Sequence, residues 1–263
     1  MLAEDSLREG RLSDTLTQLQ EAVRKDPANP KLRVFLFQVL AVMGQWERAM
    51  AQLNVAGEMD AANLVMAQAY REAIRCEVFR SEVFGGQKTP LVFGDPQQWI
   101  ALLLEALKLT AQGRHQQGRS MREQALNTAP ATHGQIDGSS FDWIADADSR
   151  LGPVLEAIVN GRYYWIPFYQ IHKIHIEAPA DLRDVVWTPA HFTWANGGEA
   201  VGLIPTRYPG AEQSDDAMIR LARKTEWEAL GEGVFRGLGQ RMLATNDNDY
   251  PLMDIREITL DTV

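Results

Sequence analysis

The chain has 263 residues, of which 45% are hydrophobic and 23% are charged, and its formal net charge is −9 at pH 7. This composition is typical of a globular protein with a sizeable core, and no apolar run reaches the roughly 18 residues that a membrane helix needs. The charge is uneven, because residues 135–263 carry 20 acidic and 11 basic side chains whereas residues 1–134 are balanced. We therefore expect neither a membrane as a partner nor binding of nucleic acid along a broad face.

The N-terminus and the cysteine content indicate a cytoplasmic protein. The first five residues, Met-Leu-Ala-Glu-Asp, provide neither the basic start nor the apolar segment of a secretory signal. Cys76 is the only cysteine, which rules out an internal disulfide and fits a reducing compartment. We interpret this thiol as a small core residue, because the nearest histidine in sequence, His115, is distant.

One pattern of small and apolar residues occurs twice between Leu7 and Asp60, with a period of 34 residues. Gly10 recurs as Gly44, and Ala22 recurs as Ala56. A 34-residue period is typical of tetratricopeptide (TPR) repeats, in which each repeat is a pair of helices, A and B. Glycine permits the turn between the two helices, and alanine lets them pack closely. The sequence therefore predicts a helical-repeat scaffold, a class that usually binds other proteins on its concave face.

Three further helical segments follow these two repeats. Asn63 to Val83 and Trp99 to Leu109 have helical spacing, and Gly113 to Pro130 repeats the second half of the pattern. Asp95 is predicted to cap the helix before Trp99, with Pro96 at its first position. We expect about three helix pairs, one of them irregular, in a solenoid that ends near residue 130.

A change in sequence character marks a predicted domain boundary at residue 134. Residues 131–140 are small and polar and indicate a linker, and Ser149 to Val159 has the spacing of one more helix. The residues from Tyr163 to Phe168 are aromatic and strand-like, and apolar residues then alternate with polar ones from Ile171 to Glu177.

Turn signals and short apolar runs continue to the end of the chain. Asn196-Gly197 suits a hairpin turn between residues 191–194 and 199–204, and Ser214 to Arg223 has helical character. The predicted fold class is α+β in two parts. Residues 1–134 form a TPR-like α-helical solenoid, and residues 135–263 form a mostly antiparallel β-rich domain, a small barrel or a sheet with one or two helices.

Three carboxylates near Trp143 are candidates for chemistry. Asp142, Asp146 and Asp148 lie close in sequence, and such groups can act as acid and base or hold a divalent ion. We favour capping and ion pairing with Arg150, because the spacing lacks the regular alternation and the glycine of a calcium loop.

The histidines and the glycine motifs give no stronger indication of catalysis. His172 and His175 have metal-ligand spacing for a helix, but on an alternating strand they point to opposite faces, and His191 adds no carboxylate at ligand spacing. The run from Asp181 to Asp184 is interpreted as a salt-bridged turn, with a recognition loop as the alternative. A phosphate-binding glycine loop, a Gly-x-Ser-x-Gly elbow and a His-Glu-x-x-His helix are all missing from the sequence. We predict no catalytic residue, no metal and no cofactor.

Several segments of the second half carry a specific sequence pattern: Arg162 to Phe168, Asp181 to Ala190, Asn196 to Gly198 and Ile204 to Glu212, together with Phe141 to Arg150 and Gly231 to Leu243. In these segments the chain resembles the ImpE (TagJ) family, accessory proteins of bacterial type VI secretion systems. The resemblance covers essentially the whole chain. It implies a cytoplasmic, non-enzymatic component that binds the N-terminal helix of the small sheath subunit, TssB, and works alongside the ClpV ATPase.

Repeat geometry suggests a place for such a helix. The positions of helix A that face the concave groove of the second repeat are Lys31, Val34, Gln38 and Ala41. We expect an amphipathic helix to bind there through apolar residues at i, i+3 or i+4, and i+7, although the second domain is equally open as the binding site. Two other functions remain as alternatives: a hydrolase or metal-dependent enzyme built on the carboxylates or histidines of the β-rich half, and a structural scaffold without sheath contact.

Overall fold

In a computed structural model that describes residues 2–95, 97–231 and 234–261, a helical region is followed by a β-rich region. The helical region contains α1 (Leu2–Arg8), α2 (Leu12–Lys25), α3 (Pro30–Val42), α4 (Trp46–Met59), α5 (Leu64–Phe84), α6 (Gln98–Ala111) and α7 (His115–Thr128). The neighbours α1 and α2, α3 and α4, and α6 and α7 pack as pairs, and the long helix α5 stands between the second and third pairs. Within the described ranges, no helix combines the length and the apolar character needed to cross a membrane.

The helix ends follow from local sequence. Gly10 and Gly44, which lie in the turns after α1 and α3, have φ angles of 77° and 66°, a conformation that glycine adopts without strain. The Asn29 side chain accepts hydrogen bonds from the first backbone amides of α3, with Pro30 at the first helical position. The residue before α6 is Gln97 rather than the predicted Asp95, and Pro96 lies outside the described residues. The predicted TPR-like architecture is confirmed.

Three sheets form the β-rich region within the described residues. Their strands are β1 (Leu91–Val92), β2 (Gly134–Ile136), β3 (Ser139–Phe141), β4 (Ile144–Asp146), β5 (Val154–Val159), β6 (Arg162–Pro167), β7 (Ile171–Ile176), β8 (Trp187–Trp194), β9 (Glu199–Pro205), β10 (Thr225–Gly231), β11 (Val234–Gly239), β12 (Met242–Thr245), β13 (Asp249–Pro251) and β14 (Glu257–Leu260). The largest sheet has the order β1-β6-β5-β9-β8-β7-β14-β2-β3, and the others are β13-β12-β4 and the hairpin β10-β11.

All strand pairs of the largest sheet are antiparallel except that of β1 with β6. The sheet is open, since β1 and β3 form its two edges and do not pair with each other. The mostly antiparallel β-rich half is therefore confirmed, with the sheet rather than the barrel as its form. The predicted hairpin around Asn196-Gly197 is also present as the pair β8 and β9.

Three local predictions are wrong. The segment from Ser149 to Val159 contains strand β5 instead of a helix, and all six residues of β5 are buried. A strand that is buried on both faces is apolar at nearly every position, so its spacing resembles that of a buried helix. The expected linker at residues 131–140 contains β2 and the start of β3, and the expected helix from Ser214 to Arg223 is reduced to α8 (Ala217–Arg220).

The helical and β-rich regions share one hydrophobic core. Phe37 and Leu40 of α3 belong to the same buried cluster as Trp165 of β6 and Trp187 of β8. In addition, β1 lies in sequence before α6 but pairs with β6 in the largest sheet. The division into domains of residues 1–134 and 135–263 stays a prediction, and the packing joins the two parts closely.

Two arginines of the β-rich region contact the helical repeats at equivalent positions. Arg223 donates hydrogen bonds to the carbonyls of the last two residues of α1, at 2.9 and 3.5 Å. Arg207 donates to the carbonyls of the last two residues of α3, at 2.7 and 3.4 Å. These carbonyls are 34 residues apart and lie at helix ends, where partial negative charge accumulates. The carbonyls of Leu7 and Ala41 also accept hydrogen bonds from the amides of Gly10 and Gly44, at 3.0 and 3.1 Å. A guanidinium group therefore satisfies the same helix end in both repeats.

Candidate partner-binding surfaces

The groove predicted on the second repeat is only partly accessible. Lys31 is exposed and Val34 is half-buried, whereas Gln38 and Ala41 are buried, with 6% and 0% of their surface exposed. A partner helix can therefore reach the first two of these residues directly. Binding to the other two requires that the side chains and backbone covering them move.

A segment of the β-rich region fills this groove. The 3₁₀ turn Leu182–Val185 packs against α3, and the Trp187 ring lies 6.0 Å from the ring of Trp46 and 5.6 Å from that of Tyr70. The Arg183 guanidinium lies over the Tyr70 ring at 4.8 Å, a favourable cation–π contact. The concave face of the second repeat is thus covered by a segment of the same chain.

The filling segment is held by the turn that the sequence predicted. The Asp181 carboxylate accepts a hydrogen bond from the amide of Arg183 at 3.3 Å and forms an ion pair with its guanidinium at 3.4 Å. The Asp184 carboxylate accepts from the Asp181 amide at 2.8 Å, which completes a capping box. This arrangement is the salt-bridged turn interpretation, and it fixes the entry into β8.

An open cleft of about 730 Å³ lies one repeat further along, between α5 and the largest sheet. We call it the α5 cleft. Its helical wall includes Val65, Gln68 and Glu72, and Val201 and Leu203 of β9 lie opposite. Adding the 34-residue period to Lys31, Val34 and Gln38 gives Val65, Gln68 and Glu72, so the cleft is lined by the equivalent concave positions of a third helix A.

The cleft lies where β5 ends beside β9. These strands pair through Ile158 with Leu203 and Val159 with Gly202, and all of these residues except Val159 line the cleft. The chain then turns at Asn160 and Gly161, whose φ angles are 51° and 71°, and leaves with β6. Val201 of β9 therefore has no β5 partner, and its side chain is 63% exposed in the cleft.

The buried Cys76 lies at the inner end of this arrangement. Its Sγ is 3.5 Å from the carbonyl oxygen of Gly161, which links α5 to the turn beside the cleft. Burial raises the pKa of the thiol to about 12, with Glu77 and Glu72 adding to the effect. A thiol of this kind is protonated at neutral pH and is a poor nucleophile.

The surface of the cleft is mainly apolar, with one unpaired charge. Val65 and Val201 are 83% and 63% exposed. Glu72 forms an ion pair with Arg75 at 2.6 Å, whereas Arg162, at the end of the cleft, is exposed and has no carboxylate within ion-pair distance among the residues that the structure describes.

The predicted carboxylate cluster is divided between structural ion pairs. Asp148 pairs with Arg150 at 2.5 Å, as predicted, and Asp146 pairs with Arg241. Asp142 is exposed and does not join them. The side chains of Asp146 and Asp148 are fully buried, and each carboxylate is held in an ion pair.

Sequence reasoning missed the centre of this buried network, Glu156 of β5. Arg80 of α5 donates to its two oxygens at 2.6 and 2.8 Å, and Arg241 and the Tyr163 hydroxyl also donate to it. Burial alone would raise the pKa of Glu156, but the two guanidinium groups lower it to about 2. The only indication in the sequence is a charged residue inside an otherwise apolar segment, Val154 to Val159. Because this segment was predicted to be a helix, the charged residue was not recognised as buried.

Two of the three candidate histidines are cross-strand neighbours, because His175 of β7 pairs with His191 of β8 and their ring centroids are 6.2 Å apart. A bulge between Ile171 and Lys173 interrupts the alternation of β7, and His172 and His175 are both exposed, so the predicted strict alternation fails at this point. The His172 ring lies 3.2 Å from the Leu260 carbonyl, and the His191 ring pairs with Glu177. In the part of the chain that the structure describes, no group of three or more His, Cys, Asp or Glu side chains is arranged to hold a metal ion.

The fold and these surfaces define a helical-repeat protein whose repeats are packed on a large open sheet. Comparison with known proteins agrees: residues 6–73 match the tetratricopeptide repeat, and residues 138–259 match the ImpE protein family. A Pseudomonas aeruginosa protein named type VI secretion system accessory component TagJ is 52% identical over 261 residues, which are 99% of this chain and 92% of that protein. The chain belongs to the ImpE family.

A solved structure shows the same fold. The crystal structure of protein VPA1032 from Vibrio parahaemolyticus matches this chain with a TM-score of 0.91 at 23% identity. The match covers 100% of this chain and 98% of the Vibrio chain, so both the helical and the β-rich regions, and their relative placement, recur in it.

Proposed function

We propose that this chain is a non-enzymatic adaptor of a type VI secretion system. It acts in the cytoplasm, binds the N-terminal helix of the small sheath subunit, TssB, and assists ClpV-linked handling of the sheath. The observation that carries the proposal is the 52% identity to TagJ along nearly the full length of both chains. That relative is named as an accessory component, and the sheath-helix partner follows from the family resemblance.

The architecture supports a binding role. Helical repeats commonly present grooves to peptide segments, and an amphipathic helix binds such a groove through apolar residues on one face. Of the four positions proposed for this contact, Lys31 and Val34 are accessible, and Gln38 and Ala41 are covered by the chain itself. A helix bound at the second repeat would have to displace part of the segment around Trp187 to use all four.

The ion pairing supports a role without catalysis. The buried carboxylates Asp146, Asp148 and Glu156 each pair with a guanidinium group, so they serve folding. We also propose that residues 1–134 and 135–263 act as one rigid adaptor, since they share a core and a sheet.

The test is a calorimetric titration of the purified protein with a synthetic peptide of the TssB N-terminal helix. A scrambled peptide of the same composition is the control. We expect saturable binding near the micromolar range, worth about 8 kcal/mol, and none to the scrambled peptide. If the two peptides behave alike, the sheath-helix role is wrong.

The ClpV part of the proposal needs a separate measurement. The protein is titrated with purified ClpV in the presence and absence of the peptide. Binding in both cases indicates direct contact with the ATPase, and binding only in the presence of the peptide indicates that the sheath helix bridges the two proteins. If ClpV binds in neither case, the function is limited to binding of the sheath subunit.

A further inference from the structure

We infer that the sheath helix docks in the α5 cleft, with its apolar face against Val65 and Val201 and a carboxylate of the helix paired with Arg162. The inference rests on the proposed function and adds the site and the chemistry of contact. It differs from the second-repeat groove of Lys31 and Val34, which lies one repeat earlier in the chain.

The repeat geometry is the first argument. Val65, Gln68 and Glu72 occupy the same repeat positions as Lys31, Val34 and Gln38, one 34-residue period later. In the second repeat, the turn Leu182–Val185 and Trp187 already occupy the groove. In the third, the corresponding positions face open space. The concave face is thus available to a partner at α5.

The exposed apolar side chains are the second argument. Val65 is 83% exposed and Val201 is 63% exposed, and they lie on opposite walls of the same cleft. Single exposed aliphatic residues are ordinary, but two that face one concave surface from opposite walls favour an interaction site.

The charged side chains of the cleft indicate the chemistry of its partner. Glu72 is already neutralised by Arg75, so the cleft keeps one positive group, that of Arg162, without an ion-pair partner among the described residues. A partner with a carboxylate beside its apolar face complements this pattern. A second copy of the chain is a poor occupant, because two molecules with a net charge of −9 repel each other.

The experiment compares two valine substitutions in one helix. Val65→Glu places a charge on the cleft wall, and Val78→Glu is its matched control, because Val78 is also on α5 and is 46% exposed but lies outside the cleft. With the peptide of the sheath helix, we expect Val65→Glu to weaken binding by at least about tenfold. Val78→Glu should change the affinity by no more than about twofold.

A second pair of measurements tests the charge. Arg162→Glu should weaken binding by about tenfold, and a peptide whose acidic residues are replaced by lysine should recover the affinity for this variant alone. Circular dichroism of each variant confirms that it is folded. Because all substituted side chains are exposed or half-exposed, their effects on the fold are expected to be small.

The outcomes separate the inference from the function. If the peptide binds wild type and Val65→Glu equally, the function stands and the cleft is wrong, and a selective loss in Val34→Glu would place the helix on the second repeat. If wild type itself fails to bind the peptide, both are overturned. Self-association of wild type that Val65→Glu abolishes would assign the cleft to a second copy and overturn the helix as its occupant.

Discussion

Replacing Arg207 with methionine should destabilise the protein far more than the same replacement of Arg223. The two guanidinium groups meet equivalent helix ends, but Arg207 is only 4% exposed whereas Arg223 is exposed. Arg207 donates to two carbonyls of α3 and, at 2.5 Å, to the carbonyl of Arg220. Methionine retains most of the apolar stem but none of the donors.

The magnitude follows from these partners. In Arg207→Met the carbonyls of Val42 and Arg220 lose the guanidinium donor, whereas the Ala41 carbonyl keeps the amide of Gly44. Each buried carbonyl left without a donor costs about 1–3 kcal/mol. Part of that cost is offset, because burial disfavours the guanidinium ion itself and lowers the pKa of Arg207 to about 10. We expect a net loss of about 2–4 kcal/mol for Arg207→Met. For Arg223→Met we expect about 0.3–1 kcal/mol, the value of an exposed cation at a helix C-terminus.

Urea unfolding at pH 7, followed by far-UV circular dichroism, measures both free energies of unfolding. A difference between the two variants below about 1 kcal/mol would refute the reasoning, since burial of the helix end would then contribute little. A loss for Arg223→Met as large as that for Arg207→Met would have the same meaning.

Two further predictions concern the junction of the regions. Glu156→Gln should remove a pH dependence of the free energy of unfolding. The pKa of Glu156 is about 2 in the folded protein, against an ordinary value of 4.5. The ionised carboxylate therefore stabilises the folded protein above pH 4.5, and this stabilisation is lost as the pH falls towards 2. The wild type should therefore gain about 3 kcal/mol over this range that the variant lacks, and parallel urea midpoints from pH 2 to 5 would contradict this. A fragment of residues 1–134 should melt without a cooperative transition, because it lacks the partner strand of β1 and the part of the shared core that contains Trp165 and Trp187. A sharp thermal transition near that of the full chain would instead establish residues 1–134 as an independent domain.

The helical half was predictable because its signals are local and periodic. Gly10 and Gly44 mark the turns where the structure has them, and Asn63 to Val83 is α5 to within a residue at each end. Strand β5 was not predictable in the same way, because burial of both faces removes the period-two pattern. Its central carboxylate, Glu156, is explained only by Arg80 and Arg241, which are far away in sequence.

The candidate surface shows the same limit. Repeat arithmetic relates equivalent positions in successive repeats, but it does not reveal which repeat remains open. That depends on the turn Leu182–Val185, which lies about 150 residues after α3 and packs into its groove. Long-range packing of this type leaves no periodic trace near Gln38 or Ala41, so their burial was not foreseeable.

The arginines that contact the ends of α1 and α3 fix the distance between two successive repeats. Arg223 and Arg207 mark two points one repeat apart, and each mark coincides with the end of a helix A. A free solenoid can lengthen by duplication of a unit, because each repeat contacts only its neighbours. Here an inserted repeat would move one helix end away from its guanidinium group, and the carbonyls at that helix end would lose their side-chain donor. The spacing of Arg207 and Arg223 therefore suits two helix ends that are one repeat apart.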